Sequence, residues 1–123
     1  MVGYTRYVGM VAPELLAGKT VVSTGMTGEV ERCGRAIELA LSGLSTVVLS
    51  SGDAGIYAMA GLLWEMIDSA GLSGRLPLTV IPGILAAVAA AALLGAPLTH
   101  DFACVSLSDL LTPIERIEER LEC

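Results

Sequence analysis

A few short stretches of this 123-residue chain carry side chains whose type and spacing suit chemistry. Ser51-Gly52-Asp53 places a carboxylate beside a glycine that lets backbone approach a ligand closely. Asp53 has two readings: a plain N-cap for a helix beginning near Ile56, or a partner for the hydroxyls or cationic amino group of a bound molecule. The helix N-terminus beside it would suit an anionic group such as a carboxylate. His100-Asp101 is either a strand-entry pair or a pocket pair. Tyr4 and Tyr7 read as partly buried packing residues or as the wall of a ligand site. Asp109 reads as a turn and capping residue, not as an acid catalyst. Cys33, Cys104 and Cys123 are scattered, with no CxxC pair, and His100 is the single histidine. A closed zinc site takes four ligands at short spacings, so no metal site is expected, and the cysteines read as free thiols in a reducing cytoplasm.

Familiar nucleotide and hydrolase signatures fail. Gly18-Lys19-Thr20 imitates the end of a P-loop, but Pro13 occupies the place of its first glycine and the triplet enters a strand, not a helix. The chain contains no GxGxxG and no GxSxG.

The elements that must position these residues follow from periodicity. Residues 19–24 form a β-branched run ending in a Gly25-Met26-Thr27-Gly28 loop, with Thr27 suited to cap the next helix. Val30, Cys33, Ile37 and Leu41 then share one helical face, Glu31 and Arg35 make an i,i+4 pair, and Gly43 stops the helix. A second cycle predicts a strand over 46–50, a turn at Ser51 to Gly55, and a helix over 56–70 with Ile56, Met59, Ala60, Leu63 and Ile67 buried. A third cycle predicts a strand over 78–81, a turn at Pro82-Gly83 and a helix over 85–94. The last predicts a strand over 102–106 and an acidic helix over 114–121. Strands alternating with helices predict an α/β fold: an open, three-layer, mostly parallel sheet with helices on both faces, in a single domain over 1–123. In such sheets ligands bind beyond the carboxyl ends of the strands, so the three glycine-bearing turns should share one functional edge.

Composition narrows the partners. Lys+Arg 7 against Asp+Glu 13 gives a net charge of -6, without the basic footprint nucleic acid requires, and aromatic residues at 4% supply no stacking platform. The apolar share of 54% excludes disorder and raises the question of a membrane. From Leu76 to Thr99 no residue is charged, yet Pro82-Gly83 and Gly95-Ala96-Pro97 cut this stretch to an apolar helix over 85–94. A bilayer crossing takes about 20 residues. The N-terminus also lacks a basic region followed by an apolar one. The sequence therefore predicts a soluble, cytoplasmic chain without membrane or nucleic-acid partners, whose apolar excess belongs to a sheet covered on both sides.

Several blocks in order along the chain resemble the tetrapyrrole methylase family. They are Val2-Gly3-Tyr4-Thr5-Arg6-Tyr7, Ser23-Thr24-Gly25-Met26, Ser50-Ser51-Gly52-Asp53-Ala54-Gly55-Ile56-Tyr57-Ala58-Met59-Ala60-Gly61, Val80-Ile81-Pro82-Gly83-Ile84, Leu94-Gly95-Ala96-Pro97-Leu98-Thr99-His100-Asp101-Phe102, and Ser106-Leu107-Ser108-Asp109-Leu110-Leu111-Thr112-Pro113. Within the family the resemblance is strongest to the branch that methylates C-17 of precorrin-3B or cobalt-precorrin-3B and contracts the ring in cobalamin biosynthesis. It implies S-adenosylmethionine as methyl donor, a tetrapyrrole substrate, and no metal or redox cofactor in the protein. Ser51, Gly52, Asp53, Ile56, Leu85 and Ala86 would hold the cofactor. Thr24, Gly25, Met26, His100 and Asp101 would face the macrocycle. The resemblance assigns no residue here to assist ring contraction. It further implies the N-terminal domain of a two-domain enzyme, lacking a first strand with its glycine-proline loop and lacking the C-terminal domain. A homodimer, or association with that second domain, is the expected assembly. The isolated chain is expected to be inactive. Leu85 stands where the family commonly has Ser or Thr, which removes one hydrogen bond to the cofactor, of about 0.5–1.5 kcal/mol net. A noncatalytic α/β interaction module is the alternative reading.

Overall fold

The computed structural model describes residues 1–108 and 112–122. Asp109, which the sequence marks as a turn residue, and Cys123 lie outside the described residues. In chain order the elements are β1 (Val2–Tyr4), α1 (Thr5–Val8), α2 (Pro13–Leu16), β2 (Val22–Thr24), α3 (Glu29–Leu41), β3 (Val48–Leu49), α4 (Met59–Ser69), α5 (Ala86–Leu93) and α6 (Ile114–Leu121). They fall into two compact units, Met1–Leu85 and Ala86–Cys123.

In the first unit three parallel strands form a sheet in the order β2-β1-β3. The central strand β1 was not expected, because three residues ending in Tyr4 are too short a run to show period-two alternation. Its neighbours explain it. Val2 pairs with Val22 on one side and Val48 on the other, and its side chain is fully buried. Val2, Cys33, Ala36 and Leu63 form the core, so α3 and α4 cover the face to which Val2 points. Side chains alternate along a strand, and a Cβ at Gly3 would meet Val8 of α1 on the opposite face. The α/β architecture with helices on both faces therefore stands, built on very short strands.

The helices correct several expectations in detail. Cys33 is buried as predicted, but Val30 and Leu41, at the two ends of the predicted stripe, are exposed. Arg35 pairs with Glu38 at 2.6 Å, not with Glu31. Thr27 does not cap α3: its backbone is left-handed, its hydroxyl donates to the Met26 carbonyl, and Gly28 takes the N-cap position. Gly43 and Gly71, both with positive φ, follow α3 and α4 as the sequence indicates. Residues 78–81 and 102–106 are not strands. The former run has suitable side chains but no backbone partner among the described residues, and hydrogen bonding, not propensity, defines a strand. Among the described residues no helix is long and apolar enough to cross a membrane.

Candidate functional site

Because β1, β2 and β3 are parallel, the turns that follow β2 and β3 leave the same edge of the sheet. Asp53 ties the second of these turns to Pro82-Gly83. One carboxylate oxygen accepts the Gly55 N–H at 2.7 Å and the other accepts the Gly83 N–H at 3.0 Å. Those two donors, Gly55 first, hold the Asp53 carboxyl below its ordinary value against a smaller opposing effect of desolvation, with the Ile56 N–H adding to them. The turns are also in steric contact, since a Cβ at Gly83 would collide with the Gly52 carbonyl oxygen. Gly52 itself sits at φ 62°, where other residues are strained.

The helix-cap reading of Asp53 is thereby corrected. Its carboxylate is turned to two loop amides, one of them thirty residues away in sequence, and α4 starts only at Met59, with Ala58 as N-cap and no side-chain cap. Tyr57, at φ 48°, interrupts the segment that was expected to be helical. Ile56 consequently leaves the predicted buried stripe and is 46% exposed beside the turn. Ser51 is exposed, and its carbonyl accepts the Ser50 hydroxyl. Two of the three predicted turns are thus joined directly, with exposed apolar surface at their margin.

The turn after β2 is organised by a residue that the sequence reading missed. Arg32, 3% exposed, sends one guanidinium nitrogen to the Thr24 hydroxyl at 2.6 Å and the Gly25 carbonyl at 2.7 Å. Its second terminal nitrogen meets Glu29 at 2.8 Å, and its guanidinium carbon lies 5.9 Å from the centre of the Tyr4 ring. Tyr4 and Tyr7 pack edge to face at 5.1 Å, both half-buried. Arg32 shares a helix face with Ala36, four residues on and buried. A charged residue in register with a buried one was the available signal. Thr24 and Gly25 are therefore fixed, while Met26 is exposed.

Leu85, half-buried, ends the first unit, and Ala86 opens α5 in the second. His100 and Asp101 also belong to the second unit and are exposed. In the first unit, then, Asp53 joins two glycine-bordered turns and Arg32 fixes a third.

Residues 5–122 match the family described as Tetrapyrrole (Corrin/Porphyrin) Methylases. The chain belongs to this family. A relative from Salmonella typhimurium, named as a probable cobalt-factor III C(17)-methyltransferase, is 51% identical over 98% of this chain and 49% of its own length. A cobalt-factor III methyltransferase from Priestia megaterium is 47% identical over 99% of this chain and 23% of its own. The crystal structure of the methyltransferase CobJ superposes with a TM-score of 0.89 at 43% identity, covering 98% of this chain and 49% of that one. This tetrapyrrole methylase chain thus spans about half the length of the Salmonella relative and of CobJ, and less of the Priestia one. A methylase family implies a methyl donor, and in open parallel sheets ligands generally bind beyond the carboxyl ends of the strands, the edge from which the turns after β2 and β3 leave.

Proposed function

We propose that this chain contributes the N-terminal half-site of an enzyme that transfers a methyl group from S-adenosylmethionine to C-17 of a precorrin-3B-type macrocycle, with ring contraction, in cobalamin biosynthesis. The observation that carries this reading is the Asp53 junction, which locks two glycine turns together at the carboxyl edge of the sheet. The names of the relatives support the substrate class.

The residues present fit the cofactor. Gly52 keeps backbone close and unobstructed, exposed Ile56 offers apolar surface, and Leu85 and Ala86 continue directly from the Pro82-Gly83 turn. Both Asp53 oxygens already accept loop amides, so Asp53 shapes the cofactor turn and retains its remaining lone pairs for a donor on the ligand. Thr24, Gly25 and Met26 border the macrocycle side, with His100 and Asp101 as further candidates. When bound, S-adenosylmethionine supplies an electrophilic methyl on a sulfonium. The protein's task is to align it and exclude water, so no nucleophilic side chain is needed. This chain acts as a partial N-terminal domain, and the second half of the site comes from further polypeptide.

Calorimetric titration of the 123-residue chain with S-adenosylmethionine and its demethylated product tests the reading. Weak binding without turnover is expected, reduced about tenfold by Asp53→Asn, the effect of about one charge-assisted hydrogen bond. Absence of binding, together with ligand-independent dimers in light scattering, would favour a noncatalytic interaction module instead.

A further inference from the structure

Tyr4 and Thr24 end two neighbouring strands at the same level, because β1 and β2 pair with Tyr4 opposite Thr24. Side chains alternate along a strand, so Tyr4 points to the same face as Val2, the face that α3 covers. Arg32 of α3 reaches both strand ends there. Its guanidinium carbon lies 5.9 Å from the centre of the Tyr4 ring, and one nitrogen donates to the Thr24 hydroxyl and the Gly25 carbonyl. The Thr5 hydroxyl, just past β1, donates to the Thr24 carbonyl at 3.0 Å, which ties the two ends a second time. Gly28 leaves room for this arrangement, since a Cβ there would stand 2.8 Å from the Thr24 hydroxyl oxygen. The turn is thus held by the polar atoms of its first two residues and sends out Met26, which is 71% exposed. A buried charge must recover its hydration through hydrogen bonds, yet the Arg32 Nε–H finds no acceptor among the described residues. What Arg32 secures that an apolar side chain would not is direction: acceptors on two consecutive residues are held by one planar donor group.

We propose that Arg32 is a positioning residue for the macrocycle: buried away from the ligand itself, it acts through Thr24 and Gly25 to hold Met26 in place as an apolar contact for the ring. This role rests on the reading of the turn as the macrocycle side of the site. A tetrapyrrole is a broad, largely apolar plate with carboxylates on its periphery, and such ligands are met by apolar side chains with a few precisely placed polar groups. A methionine thioether is polarizable and packs well against a π-system. Its long side chain is also flexible, so it contributes most when the backbone beneath it is already ordered, because less freedom is then lost on binding. The other use for the Arg32 network is to hold the fold alone. What favours positioning is where the bonds end: on Thr24, Gly25 and Glu29, and on no member of the buried cluster of Val2, Cys33, Ala36 and Leu63.

The test is titration of the full 123-residue chain with uroporphyrin, a water-soluble tetrapyrrole polycarboxylate, read by the absorbance of the ring. Arg32→Leu should weaken binding about tenfold or more, and Arg32→Lys, which keeps the charge without the fork, about threefold. Slow hydrogen exchange at the Val2 and Val22 amides, which donate to Val47 and Met1, reports that each variant remains folded. Thr24→Val, which removes only the acceptor hydroxyl, should weaken binding about threefold and carries the test where Arg32→Leu does not fold. Coupling to Met26 is the readout that a purely structural role would not move. Met26→Ala should weaken binding about fivefold in the unaltered chain and less than about twofold beside Arg32→Lys, because a turn no longer held gains little from its contact residue. Equal affinity among folded Arg32 variants, or the same Met26→Ala loss in both backgrounds, overturns the proposal. If the unaltered chain binds no uroporphyrin, the macrocycle reading of the turn fails and the role of Arg32 with it. Binding that ignores Arg32 sinks only the latter, so the two failures are told apart.

Discussion

Replacing Arg32 should loosen the turn after β2 and cost the whole fold measurable stability. The guanidinium donates to Thr24 and Gly25 at 2.6 and 2.7 Å and is 3% exposed, so Arg32→Leu leaves two loop acceptors without their donor. Hydrogen bonds from a charged donor contribute about 1.5 kcal/mol each at the lower end of their range, and the Tyr4 ring adds about 0.5–1 kcal/mol. Glu29 is 44% exposed and regains water when its partner is removed, so that pair adds well under about 1 kcal/mol. Against this, the Arg32 Nε is buried without a partner, and relief of that desolvation returns about 1 kcal/mol. The net expectation is a loss of about 2–3 kcal/mol, or roughly 10 °C in Tm for a chain of this size. Urea denaturation at unchanged slope measures it. Arg32→Lys, which keeps the charge but not the fork, should fall between the two. Combining Arg32→Leu with Thr24→Val should show coupling of about 1 kcal/mol. A loss below about 0.5 kcal/mol, or additive single effects, would refute the assignment of Arg32 as the residue that positions this turn.

Three further perturbations address the rest of the unit. Gly83→Ala drives a Cβ into the Gly52 carbonyl and should lower stability by about 2 kcal/mol or more, whereas Gly61→Ala, in the interior of α4 with open space around it, should raise it by about 0.5–1 kcal/mol; thermal melts of the pair check both signs. The Asp53 carboxyl is held below its ordinary value of 3.8, so its contribution is complete above that pH and is lost as the pH falls through the lower value of the folded chain; the acid limb of the stability profile should flatten in Asp53→Asn. Burial raises the Cys33 thiol, with Arg32 opposing and Glu29 assisting, so Cys33 should react with a thiol reagent at pH 7 only as fast as the core opens; fast labelling in the native chain would contradict its place between Val2 and Leu63.

Helices were the more legible half of this fold. Cys33 on α3, and Ala60, Leu63 and Ile67 on α4, are buried where the helical period puts them, while Ala36, buried on α3, lies outside the stripe that the period marks. Strands were less legible for two separate reasons. β1 has three residues, one of them glycine, and is defined by the neighbours that pair with it. Residues 78–81 have strand-like side chains without a backbone partner among the described residues. The site divides in the same way. The Gly52-Asp53 turn was visible as residue types, but the direction of the Asp53 carboxylate depends on Gly83, a contact of high sequence separation that local spacing does not encode. Arg32 was hidden because an arginine on a helix ordinarily faces solvent, and only the turn after β2 supplies it with acceptors.

The uncharged stretch from Leu76 to Thr99 links these points. Sequence alone offers two physical uses for such a run, a bilayer or an interior covered on both sides, and the proline and glycine breaks leave the second. Helix α5 is apolar all round and has no buried residue, and Ile81 and Ile84 are 79% and 72% exposed. An apolar face is useful to a fold only when something covers it.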